Sequence, residues 1–232
     1  MCLKEDNMVY QKPRAILFDW DGTLAETRPA VVDSMEYVLA YYHKEPWDIT
    51  KAKYRDTTKS LKENFVNFFQ EDAFAAYQLY IEYYESNSYN KIKPIDNANR
   101  FMKLCKSQDI DLYIISNKER KLLLKEVLYC YPDIKFKKVL ANGDAIRNKP
   151  FPDPVFAALN DVFYPINRQN VWLVGDSKQD TECAFQASVF PILLGKGKFM
   201  DDDYISMKTK SDKPLLVVSN FAELIQWMEN KK

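Results

Sequence analysis

The run Ala15-Ile16-Leu17-Phe18-Asp19-Trp20-Asp21-Gly22-Thr23 decides how the rest of the chain is read. Its four leading apolar residues show no polar alternation, which suits a short strand buried on both faces, as in a parallel sheet. The strand then gives way to two carboxylates one residue apart, and Gly22 lets the backbone turn sharply. Asp-Gly pairs also mark ordinary turns. Taken alone, the run is as much a polar turn as a site.

Similar apolar runs recur at 112–115, 171–174, 189–194 and 215–218, with a shorter one at 136–140. Helical periodicity separates them, at 98–106, 120–129, 154–162, 180–187 and 221–228. Alternating strands and helices predict an α/β fold built on a Rossmann-like, doubly wound parallel sheet. Residues 28–92 break the pattern. They carry helical stretches at 31–42, 58–69 and 73–84, rich in Tyr, Phe, Lys and Glu, and no strand. That is too long for a connection in a compact domain. We therefore expect a helical subdomain over 28–92, inserted into a core made of 14–27 and 93–232, with Pro94 marking the return. Aromatics at helical spacing within it, such as Phe65, Phe68 and Phe69 or Tyr80, Tyr83 and Tyr84, read as packing.

Open parallel sheets bind ligands beyond the carboxyl ends of their strands, so the polar residues that follow the apolar runs carry the argument. Asp19 and Asp21 suit phosphoryl chemistry: one carboxylate attacks phosphorus, and its neighbour protonates the leaving oxygen and later deprotonates water. Ser116-Asn117 follows the second run ahead of a helix expected near Lys118. A hydroxyl and backbone N–H groups there can hold a phosphate oxygen, although Ser and Asn also serve as plain helix caps. Lys149 lies in Asn148-Lys149-Pro150-Phe151-Pro152-Asp153-Pro154, where prolines stiffen the chain. A fixed ammonium can neutralise charge on a nucleophile and a transferring group; otherwise it is one solvated lysine among many. Gly175-Asp176-Ser177-Lys178-Gln179-Asp180 sets two carboxylates one helical turn apart. They suit magnesium, which takes oxygen ligands, or an acidic, capped helix start. Of only five glycines, Gly22 and Gly175 stand at the two tight strand exits.

Composition narrows the partners. The 232 residues are 47% hydrophobic, with 33 basic and 33 acidic side chains. That balance argues against disorder and against a general affinity for nucleic acid. No apolar stretch is long enough to span a bilayer, and the first 14 residues lack an apolar signal core. We expect a cytoplasmic protein, monomer or homodimer, with no membrane partner. Cys2, Cys105, Cys130 and Cys183 are scattered without a CxxC pair and read as reduced, mostly buried thiols. His43 is the only histidine and has no nucleophile motif beside it.

With the four strand-end motifs in order, the sequence resembles the haloacid dehalogenase superfamily over about residues 14–195, and within it the phosphoglycolate phosphatase-like branch with a helical cap. The resemblance implies a magnesium-dependent phosphatase acting on a small phosphorylated metabolite. By it, Asp19 is the nucleophile and Asp21 the general acid and base, whose backbone carbonyl also binds magnesium. Thr23 orients Asp21. Ser116 and the Asn117 backbone bind the transferring phosphoryl group, and Lys149 steadies that group and Asp19. Asp176 ligates magnesium, supported by Asp180 directly or through water. Asp21 argues against dehalogenases and phosphonate hydrolases, which lack this aspartate. A sugar phosphomutase of the same superfamily is the alternative enzyme, although phosphomutases carry a histidine where Val31 stands. A catalytically silent binding protein is the alternative of another class. Three features depart from the family pattern: bulky Trp20 between the aspartates, Ser188 in place of a frequent glycine, and the tyrosine-rich cap.

Overall fold

The computed structural model describes residues 12–46, 61–195 and 215–230. Cys2 and the first residues of the helix expected at 58–69 lie outside them. In chain order the described elements are β1 (Ala15–Phe18), β2 (Ala25–Glu26), α1 (Arg28–Tyr41), α2 (Leu61–Phe69), α3 (Ala73–Asn87) and β3 (Lys93–Pro94). They continue with α4 (Ala98–Ser107), β4 (Asp111–Ile115), α5 (Arg120–Cys130), β5 (Lys138–Leu140) and α6 (Asp153–Ala158). Last come β6 (Val171–Gly175), α7 (Lys178–Gln186), β7 (Phe190–Leu194), β8 (Leu216–Val218) and α8 (Phe221–Glu229).

Six strands form one parallel sheet in the order β5-β4-β1-β6-β7-β8. The expected α/β architecture is therefore present. Successive side chains of a strand point to opposite faces, and the sheet is apolar on both. Ile16, Phe18, Leu112, Ile114 and Val174 pack on one face with Phe101 and Met102 of α4 and Phe221 and Leu224 of α8. Ala15, Leu17, Ile115 and Leu173 pack on the other with Val155 of α6 and Cys183 and Ala184 of α7. This double burial explains why the strand sequences do not alternate.

Strand β1 is central, paired with β4 through Phe18↔Ile114 and with β6 through Phe18↔Val174. The chain moves outward from β1 on one side and then crosses to the other, so the switch point lies where β1, β4 and β6 end. Asp19, Ser116 and Asp176 leave the sheet there.

The short antiparallel pair β2 and β3, joined through Ala25↔Pro94 and Glu26↔Lys93, stands where the chain departs from the sheet and returns. At two residues each, these strands are too short to give a sequence pattern. Between them, α1 and α2 both pack on α3. Phe65, Phe69, Tyr80 and Tyr84 are buried in that helical layer, so its aromatics pack as the sequence indicates. Tyr83 stacks on Tyr37 with centroids 4.0 Å apart.

Two helix boundaries differ from the sequence periodicity, and a third, that of α5, follows the periodicity at 120–129 rather than a start near Lys118. Helix α6 stops at Ala158, and α7 begins at Lys178 because Ser177 caps it through a reciprocal capping box with Asp180. Helix α5 starts at Arg120, leaving Lys118 and Glu119 in the loop after β4. Ser188 takes a left-handed φ of 56°, the conformation that usually calls for glycine. Cys105, Cys130 and Cys183 are free and buried, and burial pushes the Cys105 and Cys183 thiols up to about 12. Among the described residues, no helix is long and apolar enough to cross a membrane.

Candidate active site

Sheet pairing continues up to the first carboxylate, since the Asp19 N–H donates to the Val174 carbonyl at 2.9 Å. On the neighbouring strand the Ser116 N–H donates to the Leu140 carbonyl at 2.9 Å. The site therefore rests on hydrogen-bonded strand ends rather than on free loops. Lys149 is not a solvated lysine. It is 3% exposed, and its Nζ donates to Asp19 Oδ1 at 2.5 Å and to Asp180 Oδ1 at 2.7 Å. Its backbone is gripped as well: the Asn117 amide donates to the Lys149 carbonyl at 2.9 Å and accepts from its N–H at 3.1 Å. The Asn117 side chain thus holds the lysine, leaving its backbone N–H as the group that could meet a phosphate. Ser116 Oγ accepts from the Lys118 N–H at 3.2 Å.

Both strand-exit glycines are required by close approach. Gly22 has φ +82°, and a Cβ there would fall 2.3 Å from Asp176 Oδ2. At Gly175 a Cβ would fall 2.3 Å from the Asp180 Cβ. A side chain at either position would displace an aspartate from the cluster.

Oxygen atoms of Asp19, Asp176 and Asp180 lie within 4.8 Å of one another. Burial raises Asp19 to about 7, aided by the charges of Asp180 and Asp21 and opposed by Lys149. Burial likewise raises Asp176 to about 8, with Asp19 and Asp180 adding to it. Hard, crowded oxygen donors whose negative charge is disfavoured fit a small divalent cation such as magnesium, which would offset the repulsion. Asp180 is already occupied on both oxygens, since Oδ2 accepts from the Ser177 N–H at 3.1 Å and the Ser177 hydroxyl at 2.5 Å. Asp176 has no such hydrogen-bond donor among the described residues. For Lys149, burial opposes the charge, but Asp180 and Asp19 outweigh it and raise its pKa.

The expectation that Thr23 orients Asp21 is corrected. The Thr23 hydroxyl donates to Asp19 Oδ2 at 3.3 Å, while Asp21 Oδ1 accepts from Thr27 Oγ1 at 2.5 Å. Asp21 has a second partner that the sequence reading missed, the Lys118 ammonium at 2.7 Å. Lys118 in turn meets the fully buried Glu126 at 3.0 Å. Two signals could have found this pair. Lys118 directly follows Ser116-Asn117 at a strand end, and Glu126 sits on the buried stripe of α5 with Leu122, Leu123 and Cys130, where a carboxylate needs a partner. Trp20, which departs from the family pattern, also has its reason here: its indole N–H donates to Glu126 Oε2 at 2.6 Å. His43 is exposed beyond the end of α1 and meets none of these groups.

Comparisons with known proteins bear on the family and the fold. The family model for haloacid dehalogenase-like hydrolases matches residues 16–193. A putative pyrophosphatase PpaX of Caldanaerobacter subterraneus subsp. tengcongensis is 27% identical over 191 residues, covering 77% of this chain and 80% of that protein. A phosphoglycolate phosphatase of Neisseria gonorrhoeae is 25% identical over 239 residues, covering 97% and 98%. Among solved structures, a predicted phosphoglycolate phosphatase from Haemophilus somnus superposes with a TM-score of 0.79 at 21% identity, over 94% of this chain and 99% of that one.

Proposed function

Since the chain belongs to the haloacid dehalogenase-like hydrolase family, in its phosphatase branch, we propose that it hydrolyses a small-molecule phosphate monoester through an aspartyl phosphate on Asp19, with magnesium at the strand ends. The observation that carries this reading is the buried ammonium of Lys149 set between Asp19 and Asp180. An acidic turn has no use for such a bridge. A nucleophile that must meet a phosphate dianion does, because the cation offsets the repulsion between them.

In this reading Asp19 attacks phosphorus and the bond to the leaving oxygen breaks. Asp21, whose side chain is 39% exposed, gives that oxygen its proton. Water then attacks the phosphorus of the aspartyl phosphate and loses a proton to Asp21, which frees inorganic phosphate and restores Asp19. Ser116 and the Asn117 N–H hold the phosphoryl oxygens, and Lys149 keeps Asp19 oriented. Asp19, Asp176 and the Asp21 carbonyl hold the metal, while Asp180 acts through Lys149 or a water. When bound, magnesium supplies positive charge that offsets the phosphoryl oxygens and Asp19. Thr23 supports Asp19. The helical layer, residues 28–92, acts as a cap over the core of 14–27 and 93–232, and the protein works in the cytoplasm as a monomer or homodimer. Val31, where the phosphomutases carry histidine, is apolar and packs against the core, which favours hydrolysis over isomerisation.

The test is an assay of the full chain with magnesium against phosphate esters, including phosphoglycolate, inorganic pyrophosphate and sugar phosphates. Release of inorganic phosphate is expected, with a loss of at least about a thousandfold in Asp19→Asn. Full activity in that variant, or no ester hydrolysed, would refute the reading.

A further inference from the structure

Lys118 makes three polar contacts, to Asp21 Oδ1 at 2.7 Å, Glu126 Oε1 at 3.0 Å and the Tyr84 hydroxyl at 3.2 Å. An ammonium has three protons and no acceptor, so all of its donors are committed. A lysine on a flexible stem is thereby fixed at one point. Glu126 is equally committed: Oε1 accepts from the Tyr84 hydroxyl at 2.8 Å and Oε2 from Trp20. A carboxylate on an apolar helix face is costly to bury unless all its partners are supplied, and a leucine like those beside it would pack there without that cost. What the carboxylate adds is the direction of the Lys118 ammonium, and through it the place of Asp21. The third contact comes from elsewhere in the fold. Tyr84 belongs to α3, in the helical layer, whereas Lys118 and Glu126 belong to the sheet's own loop and helix.

Tyr84 itself is buried in the apolar cluster beside Tyr80 and Tyr89, but polar pairs join α3 to α5 and the loop before it. The Tyr77 hydroxyl donates to Glu119 at 3.1 Å, and Glu85 pairs with Lys121 at 2.6 Å and with Lys125 at 2.7 Å. These pairs between the layer and α5 are ones that water can resolvate if the two part. In that event the Lys118 ammonium loses its third anchor.

We propose that Glu126 and Tyr84 are positioning residues that act through Lys118 to hold Asp21 against the leaving oxygen, which makes proton delivery depend on the docked helical layer. This rests on the reading of Asp21 as the proton donor. A donor matters most when the leaving group is a poor one, and that gives a readout that general loss of folding does not move.

The full-length protein with magnesium is assayed for kcat/KM against esters of increasingly poor leaving groups, from 4-nitrophenyl phosphate through phenyl phosphate to ethyl phosphate. Asp21→Asn serves as reference and is expected to lose about 10²- to 10⁴-fold on the poor leaving groups and far less on 4-nitrophenyl phosphate. Glu126→Gln is expected to follow the same slope, with a loss of at least about tenfold on ethyl phosphate and within about threefold of the parent on 4-nitrophenyl phosphate. Tyr84→Phe removes one hydroxyl and keeps the ring, so it tests the same point without threatening the fold, and a weaker loss of the same kind is expected. An equal loss across the series, or none, in both Glu126→Gln and Tyr84→Phe overturns the inference while Asp21 keeps its role. A flat series for Asp21→Asn overturns the proton-donor reading, and the inference with it.

Discussion

Two buried lysines divide the site between them, and each is held by two carboxylates, one of which comes from the Asp19-Trp20-Asp21 run. Lys149 lies between Asp19 and Asp180, and these partners belong to the end of β1 and the first turn of α7, both parts of the core. Lys118 lies between Asp21 and Glu126, and it also reaches Tyr84 in the helical layer. The first centre is closed within the sheet; the second is shared across two parts of the fold. In the proposed mechanism, the nucleophile is thus held by the core alone. Proton delivery by Asp21, in the same mechanism, is tied through Lys118 to the helical layer.

The comparison breaks most easily at Lys149. Lys149→Met leaves Asp19 and Asp180 buried side by side without their cation. We expect activity to fall by about 10²- to 10³-fold and stability by about 3 kcal/mol, read from urea unfolding. Lys118→Met removes a cation from Asp21, which is partly exposed and can be resolvated, and from buried Glu126, which keeps its hydrogen bonds from Trp20 and Tyr84. A smaller destabilisation, about 1–2 kcal/mol, is expected by the same measurement. Equal losses in the two variants would erase the distinction between a closed and a shared centre.

A pH experiment sharpens the first centre alone. Asp19 and Asp176 are raised from 3.8 to about 7 and about 8. The metal-free folded state therefore keeps protons that the unfolded chain would release, and it loses stability as pH climbs from about 4 through about 8. Magnesium competes with those protons. The increase in melting temperature on adding magnesium should be larger near pH 8.5 than near pH 6, measured by calorimetry with chelator-treated protein as reference. A magnesium effect that shrinks with rising pH would contradict the assignment of the cluster.

The smallest effects separate the two threonines. Thr27→Val removes the hydroxyl from Asp21, and about 1 kcal/mol, or several-fold, in kcat/KM is expected. The longer contact from Thr23 to Asp19, 3.3 Å, predicts less for Thr23→Val. The opposite order would restore Thr23 as the orienting group.

The sheet and the Lys149 centre could be read in the sequence because each part is announced locally. The strands are short apolar runs, the carboxylates follow them at once, and prolines follow the lysine. Its partners lie far apart in the chain, yet every one sits in a recognisable strand-end motif. The Lys118 centre has no such frame. Trp20 and Glu126 are 106 residues apart and Tyr84 and Glu126 are 42 apart, joined by tertiary packing that no local pattern encodes. Thr27 was missed for a related reason: Thr23 is nearer in sequence to Asp21, but the chain turns at Gly22 and carries Thr23 toward Asp19. The two-residue strands β2 and β3 were likewise below the length at which periodicity can be recognised.

The central claim is that a phosphoryl group is carried on Asp19. The direct test mixes the protein with magnesium and a hydrolysed ester, quenches it during turnover, reduces it with borohydride and sequences the tryptic peptide from Ala15 to Lys44 by mass spectrometry. An aspartyl phosphate is reduced to homoserine, so homoserine at position 19 is predicted, in greater amount in Asp21→Asn, where the intermediate persists for want of a base. Homoserine at another residue, or none while phosphate is being released, would contradict the account.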